Sequence, residues 1–191
     1  MKNLSRIIIS ALVLAPAMAF AHTGTGHLAG FADGFGHPFS GMDHMLAMVA
    51  VGIWAAQMGG RAVWAVPASF VGMMALGAAW GLSGGAVPFV EQGILLSVLV
   101  LGVLISVAAR FPMAASMAVG GLFAVFHGHA HGTEVPAAVS GMAYAFGFAI
   151  ATTLLHAVGI GFGVLAQKEM KAAVVRYAGL VIALCGVYLA V

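Results

Sequence analysis

Apolar residues run along this chain in long unbroken blocks, near 38–58, 62–82, 89–109, 112–128, 138–166 and 174–191, and nowhere in the strict alternation of a β-strand. Each block is long enough for a helix to cross a hydrocarbon core of about 30 Å, so the pattern predicts six transmembrane helices rather than a barrel. Turn signals separate the blocks: Gly59-Gly60 before Arg61, Ser83-Gly84-Gly85 before Pro88, Pro112 after Arg110, and Pro136 after Glu134. The fold class expected is therefore an all-α polytopic membrane protein.

A further apolar run at the start, Ile7 to Ala15, follows Lys2 and Arg6 and precedes Ala19-Phe20-Ala21. Basic residues, a short apolar core and a small-x-small ending describe a secretory signal peptide over 1–21, and the run is short for the alternative, an uncleaved first span. Cleavage would leave a Gly-rich, polar periplasmic segment at 22–36 and a six-helix domain at 37–191. With the mature N-terminus outside, Arg61, Arg110, Lys168, Lys171 and Arg176 all fall on the cytoplasmic side, as the positive-inside rule requires. Localisation in the bacterial inner membrane, with both mature termini periplasmic, follows from an even number of spans.

Composition changes the picture only by confirming the solvent. With 63% hydrophobic and 6% charged residues, the chain could not cover a water-facing surface, and its partner is the lipid bilayer. Removing 1–21 removes Lys2 and Arg6, which leaves basic and acidic residues equal in number, so nothing points to nucleic acid. The single Cys185 lies in the last apolar block without an intrachain partner and is read as packing. Small-residue pairs such as Gly77-x3-Gly81, Gly81-x3-Gly85 and Gly159-x3-Gly163 let helices approach closely, within one bundle or at a dimer face.

The chemistry lies in the few polar residues held inside this bundle, each of which needs a reason because charge is costly there. One cluster, His37-Pro38-Phe39-Ser40-Gly41-Met42-Asp43-His44, stands at the outer mouth of the first span. Pro38 suits a first helical turn, and a helix starting there would put His37 and His44 on one face, with Asp43 adding a carboxylate oxygen. The second, Phe126-His127-Gly128-His129-Ala130-His131-Gly132-Thr133-Glu134, ends the fourth span, where His127, His131 and Glu134 share a helical face and His129 points elsewhere. Both fall at the same side and so can converge on one site. Imidazole and carboxylate together suit Ni, Co, Zn or Cu ions. Coordinating imidazoles must be neutral, so binding should weaken as pH falls through about 6.5. His156, within the fifth block, is either a deeper station or a structural histidine bonded to backbone. Met42, Met45 and Met48 offer thioethers, with core filling as the plainer role. Glu91 suits the interface, and His22 and His27 a flexible segment.

The motifs His37 to Met48 and Phe126 to Glu134, with the signal peptide, six spans and the Leu-Leu-His-Ala stretch around His156, closely resemble the HupE/UreJ family over the whole chain. That resemblance implies a nickel, sometimes cobalt, permease in which His37, Asp43, His44, His127, His131 and Glu134 handle the metal. The first motif also resembles the His-x4-Asp-His pattern of the larger nickel/cobalt transporters, with one more residue between His37 and Asp43. No ATP-binding Gly-x4-Gly-Lys-Ser/Thr loop is present, no prosthetic group is expected, and the metal is the substrate. Two rival readings remain. One is a membrane-embedded zinc-dependent hydrolase using Glu134 or Asp43 as base, the other a periplasm-facing metal-binding or assembly protein without transport.

Overall fold

The computed structural model describes residues 27–170 and 172–191, and every element among them is helical. The signal peptide read over 1–21 and His22 lie outside the described residues. A helix at His27–Gly36 (α1) and a 3-10 turn at His37–Phe39 lead into Met42–Met58 (α2), Ala62–Leu82 (α3), Val90–Ser106 (α4), Met113–Thr133 (α5), Gly141–Glu169 (α6) and Ala172–Leu189 (α7). Four of these, α3, α5, α6 and α7, are long and apolar enough to cross a membrane. The segment Gly30–Phe39 with Met42–Met58, bent by 79°, is apolar and long enough for a fifth only if the bent pair counts as one broken span, and α4 is a shorter apolar helix. The helices α2 to α7 therefore sit at the six expected blocks.

Large apolar side chains stand exposed on helix after helix, among them Leu76, Trp80, Leu122, Phe146, Leu165 and Leu184. A water-soluble monomer does not carry so much contiguous apolar surface, and the outside of this bundle suits lipid. The core is built where helices pair, chiefly α3 with α5, α4 with α7, and α2 with α6. Glycines make those pairings close. A Cβ on Gly81 would press on the carbonyl oxygen of His129, and one on Gly163 would reach the Cβ of Ala56, so these small residues serve packing inside the bundle.

Two expectations change. Within the segment 22–36, read as flexible at His27, the described part His27–Gly36 is helical and packs on α6. Gly34 lies against the backbone of Tyr144 and Gly147 against that of Phe31 and Phe35, so a glycine-to-glycine crossing replaces the core this short helix lacks. Nor does the first span run as one helix from Pro38. Pro38 sits in the 3-10 turn, Gly41 is extended at φ −108° and ψ 125°, and α2 starts only at Met42. His37 and His44 consequently lie on separate elements either side of a bend.

Candidate metal centre

On α5 the spacing His-Gly-His-Ala-His-Gly separates two jobs by face. Gly128 and Gly132 are backed directly onto the carbonyls of Met74 and Ala78 in α3, where any side chain would force the helices apart. The neighbouring face carries His127 and His131, one turn apart and both buried, into the middle of the bundle. His129 points away, as expected, and its Nε2 donates to the carbonyl of Gly85 at 2.7 Å, fastening the end of α5 to the α3–α4 connection.

Across the bundle, Asp43 and His44 occupy the first turn of α2. Asp43 Oδ1 accepts from the backbone N–H of His44 at 2.8 Å and from its Nδ1 at 2.9 Å. The network thus assigns the proton to Nδ1 and leaves the lone pair on Nε2, which is buried without a partner. A second network does the same for His127. Ser97 in α4 donates its hydroxyl to the carbonyl of Ile94 at 2.6 Å, so at 2.9 Å it can only accept from His127 Nε2. His127 Nδ1 is left as a buried, unpartnered lone pair.

These two rings converge with that of His131. One ring nitrogen of each of His44, His127 and His131 lies within 4.8 Å of the others, and the His44 ring centroid is 4.9 Å from that of His127 and 4.5 Å from that of His131. Each ring thus keeps at least one buried nitrogen without a hydrogen-bond partner, which is costly in an apolar interior unless something takes up its lone pair, and a borderline divalent cation fits that need. Asp43 has its place behind His44 rather than among the converging nitrogens, as a carboxylate that orients the His44 imidazole. A second group forms nearer the surface: Glu134 Oε2 lies 3.1 Å from His37 Nε2 and 3.9 Å from His131 Nδ1. The two sequence clusters thus come together, with His131 common to both groups.

His156 lies deeper on α6 and is buried, with neither ring nitrogen hydrogen-bonded. The backbone-bonded structural role is therefore not what the structure shows. The Phe70 ring stands between the levels, 5.8 Å from His127 and 5.3 Å from His156. Glu91 is exposed in the first turn of α4. Ser97, Phe148 and Tyr144 went unread from sequence. The Phe148 ring lies tilted against that of His131, centroids 3.9 Å apart, and Tyr144 edges His37 at 5.8 Å. Only Ser97 carried a signal, as a lone hydroxyl in an apolar run.

The chain matches the family described as HupE / UreJ protein over residues 10–189. It is 45% identical over 183 residues to Protein HupE of Rhizobium leguminosarum bv. viciae, covering 96% of this chain and 95% of that one. No solved structure matches it.

Proposed function

The chain belongs to the HupE/UreJ family, and from that premise we propose that it is a permease for divalent nickel, and cobalt as an alternative cargo, in the bacterial inner membrane. The observation that carries this reading is the convergence of His44, His127 and His131 at one end of an apolar bundle, with His156 further along its interior. We read residues 1–21 as a cleaved signal peptide and α2 to α7 as six spans. At 17 residues α4 is about 25 Å long, which a locally thinned bilayer accommodates. Arg61, Arg110, Lys168 and Arg176 lie in connections or helix ends opposite the His37 end, which supports a periplasmic mouth and periplasmic termini.

The metal is substrate rather than prosthetic group, and no catalytic step is required of the chain. His37, Glu134 and His131 would receive the ion, the three buried imidazoles hold it, and His156 take it onward. Moving a divalent ion inward through 100 mV releases roughly 4.6 kcal/mol, which is about three decades of accumulation without ATP. Purified protein in proteoliposomes should take up radioactive nickel when the lumen is made negative. Binding without uptake would favour the assembly or storage reading.

One observation favours a second reading. An apolar crevice of about 570 Å³ between α3 and α6 reaches His131, a shape that would suit a lipid chain at a zinc hydrolase. Lipid hydrolysis by the zinc-loaded protein, without uptake, would replace the permease with that enzyme. Nitrogen donors also accept zinc and copper, so the metal content of protein purified without chelators identifies the cargo.

A further inference from the structure

Threonine buried in a helix ordinarily turns its hydroxyl back to the carbonyl four residues earlier, which satisfies it locally. Thr153, on the outer face of α6, does this too, donating to Ala149 O at 2.7 Å. Thr152, its fully buried neighbour, does not. Its Oγ1 is directed across the bundle to two thioethers, Met48 Sδ on α2 at 3.3 Å and Met74 Sδ on α3 at 3.8 Å. A sulfur is a weak acceptor, so a buried hydroxyl that forgoes a carbonyl for two sulfurs marks a point where side chains of three helices bring two thioethers and a hydroxyl together.

The position of that point follows from helix spacing. Met48 is one turn inward from His44 on α2, and Thr152 is one turn inward from Phe148, which touches His131. His156 is one turn further along the face that carries Thr152, and Met74 is one turn from Phe70, which touches His156. The two sulfurs and the hydroxyl therefore occupy the level between the three imidazoles and His156.

We propose that Met48 Sδ, Met74 Sδ and Thr152 Oγ1 form an intermediate coordination station for the transported ion, a neutral soft set between the mouth and His156. The inference rests on the permease reading. Thioethers hold borderline and soft cations and reject hard ones such as Mg²⁺, so the station screens the cargo after capture. Its neutrality makes binding weak, and a transit site has to release what it binds. Methionines that merely fill space would be replaceable by leucine, one of the best tolerated exchanges in a packed core.

The test is the double variant Met48→Leu, Met74→Leu, compared with wild type in proteoliposomes taking up radioactive nickel. Thr152 can then bond back to its own helix as Thr153 does, so no buried hydroxyl is stranded. Uptake per folded molecule should fall by about tenfold or more, the scale on which contacts near a metal act. Nickel bound at equilibrium by the detergent-solubilised protein should stay unchanged, because the imidazole group is intact. Should the double variant fail to assemble, Met48→Leu and Met74→Leu singly provide the same comparison. Wild-type uptake matched by the variant overturns the station and leaves the methionines as packing. Loss of nickel binding in step with uptake also overturns it, and absence of uptake by wild type overturns the permease reading itself.

Discussion

One oxygen of Asp43 grips His44 twice, through the backbone N–H at 2.8 Å and through Nδ1 at 2.9 Å. The carboxylate thereby fixes both where the imidazole points and which nitrogen is bare. Asp43→Ala should weaken nickel binding by about 10- to 100-fold while leaving the bundle folded. Asp43→Asn, which keeps an accepting oxygen, should lose less. Equilibrium dialysis of the purified variants with nickel checks both, and unaltered affinity in Asp43→Ala would remove this carboxylate from the site.

Gly41 is tied to the same pair. A Cβ there would stand 2.7 Å from Asp43 Oδ1 and 3.1 Å from His44 Nδ1, whereas one on Gly36 would meet nothing within 4 Å. Gly41→Ala should therefore depress nickel uptake with little change in protein level, because its extended backbone tolerates alanine and only the Asp43–His44 contact is disturbed. Gly36→Ala is the control and should transport normally. Equal uptake by the two variants would show that the contact is dispensable.

Ser97 supplies the acceptor that holds His127 Nε2. Ser97→Ala leaves that ring N–H unbonded and free to swing, and nickel affinity should drop severalfold. Ser97→Thr keeps the hydroxyl and should retain binding. Calorimetric titration of the two proteins distinguishes the orienting role from a packing one, which would instead favour alanine.

His156 separates passage from capture. It makes no hydrogen bond, so its replacement forfeits no polar contact. His156→Ala should bind nickel at the mouth nearly as wild type and conduct it far more slowly. Measuring uptake, equilibrium binding and thermal stability on one preparation distinguishes this from a fold defect, and full flux per folded molecule would take His156 off the path.

The helices were legible in the sequence because apolar length and Gly, Pro or charged interruptions are local properties. So was the pairing of His127 with His131, which one helical turn dictates. The arm at His27–Gly36 was not, since its glycines look like loop until Gly34 is seen against Tyr144 and Gly147 against Phe31. The break at Gly41 was hidden by Pro38, which starts a 3-10 turn as readily as an α-helix. The inward direction of Ser97, Met74 and Thr152 was hidden for a deeper reason. In lipid the outer face of a helix is as apolar as its inner face, so no stripe tells which side looks inward until the pairing of α3 with α5 and α2 with α6 is known.

His131 belongs to two donor sets, one with His44 and His127 and one with His37 and Glu134. A neutral imidazole has a single lone pair, so the two sets cannot be complete at once. On the permease reading they would be successive addresses for one ion, and the mouth would then hold a single equivalent whatever the number of histidines around it. On that reading a second ion arriving at His37 and Glu134 would compete for the same imidazole, and winning it would loosen the first. Crowding at the mouth would then hasten release inward, so turnover should keep rising with concentration after binding has saturated.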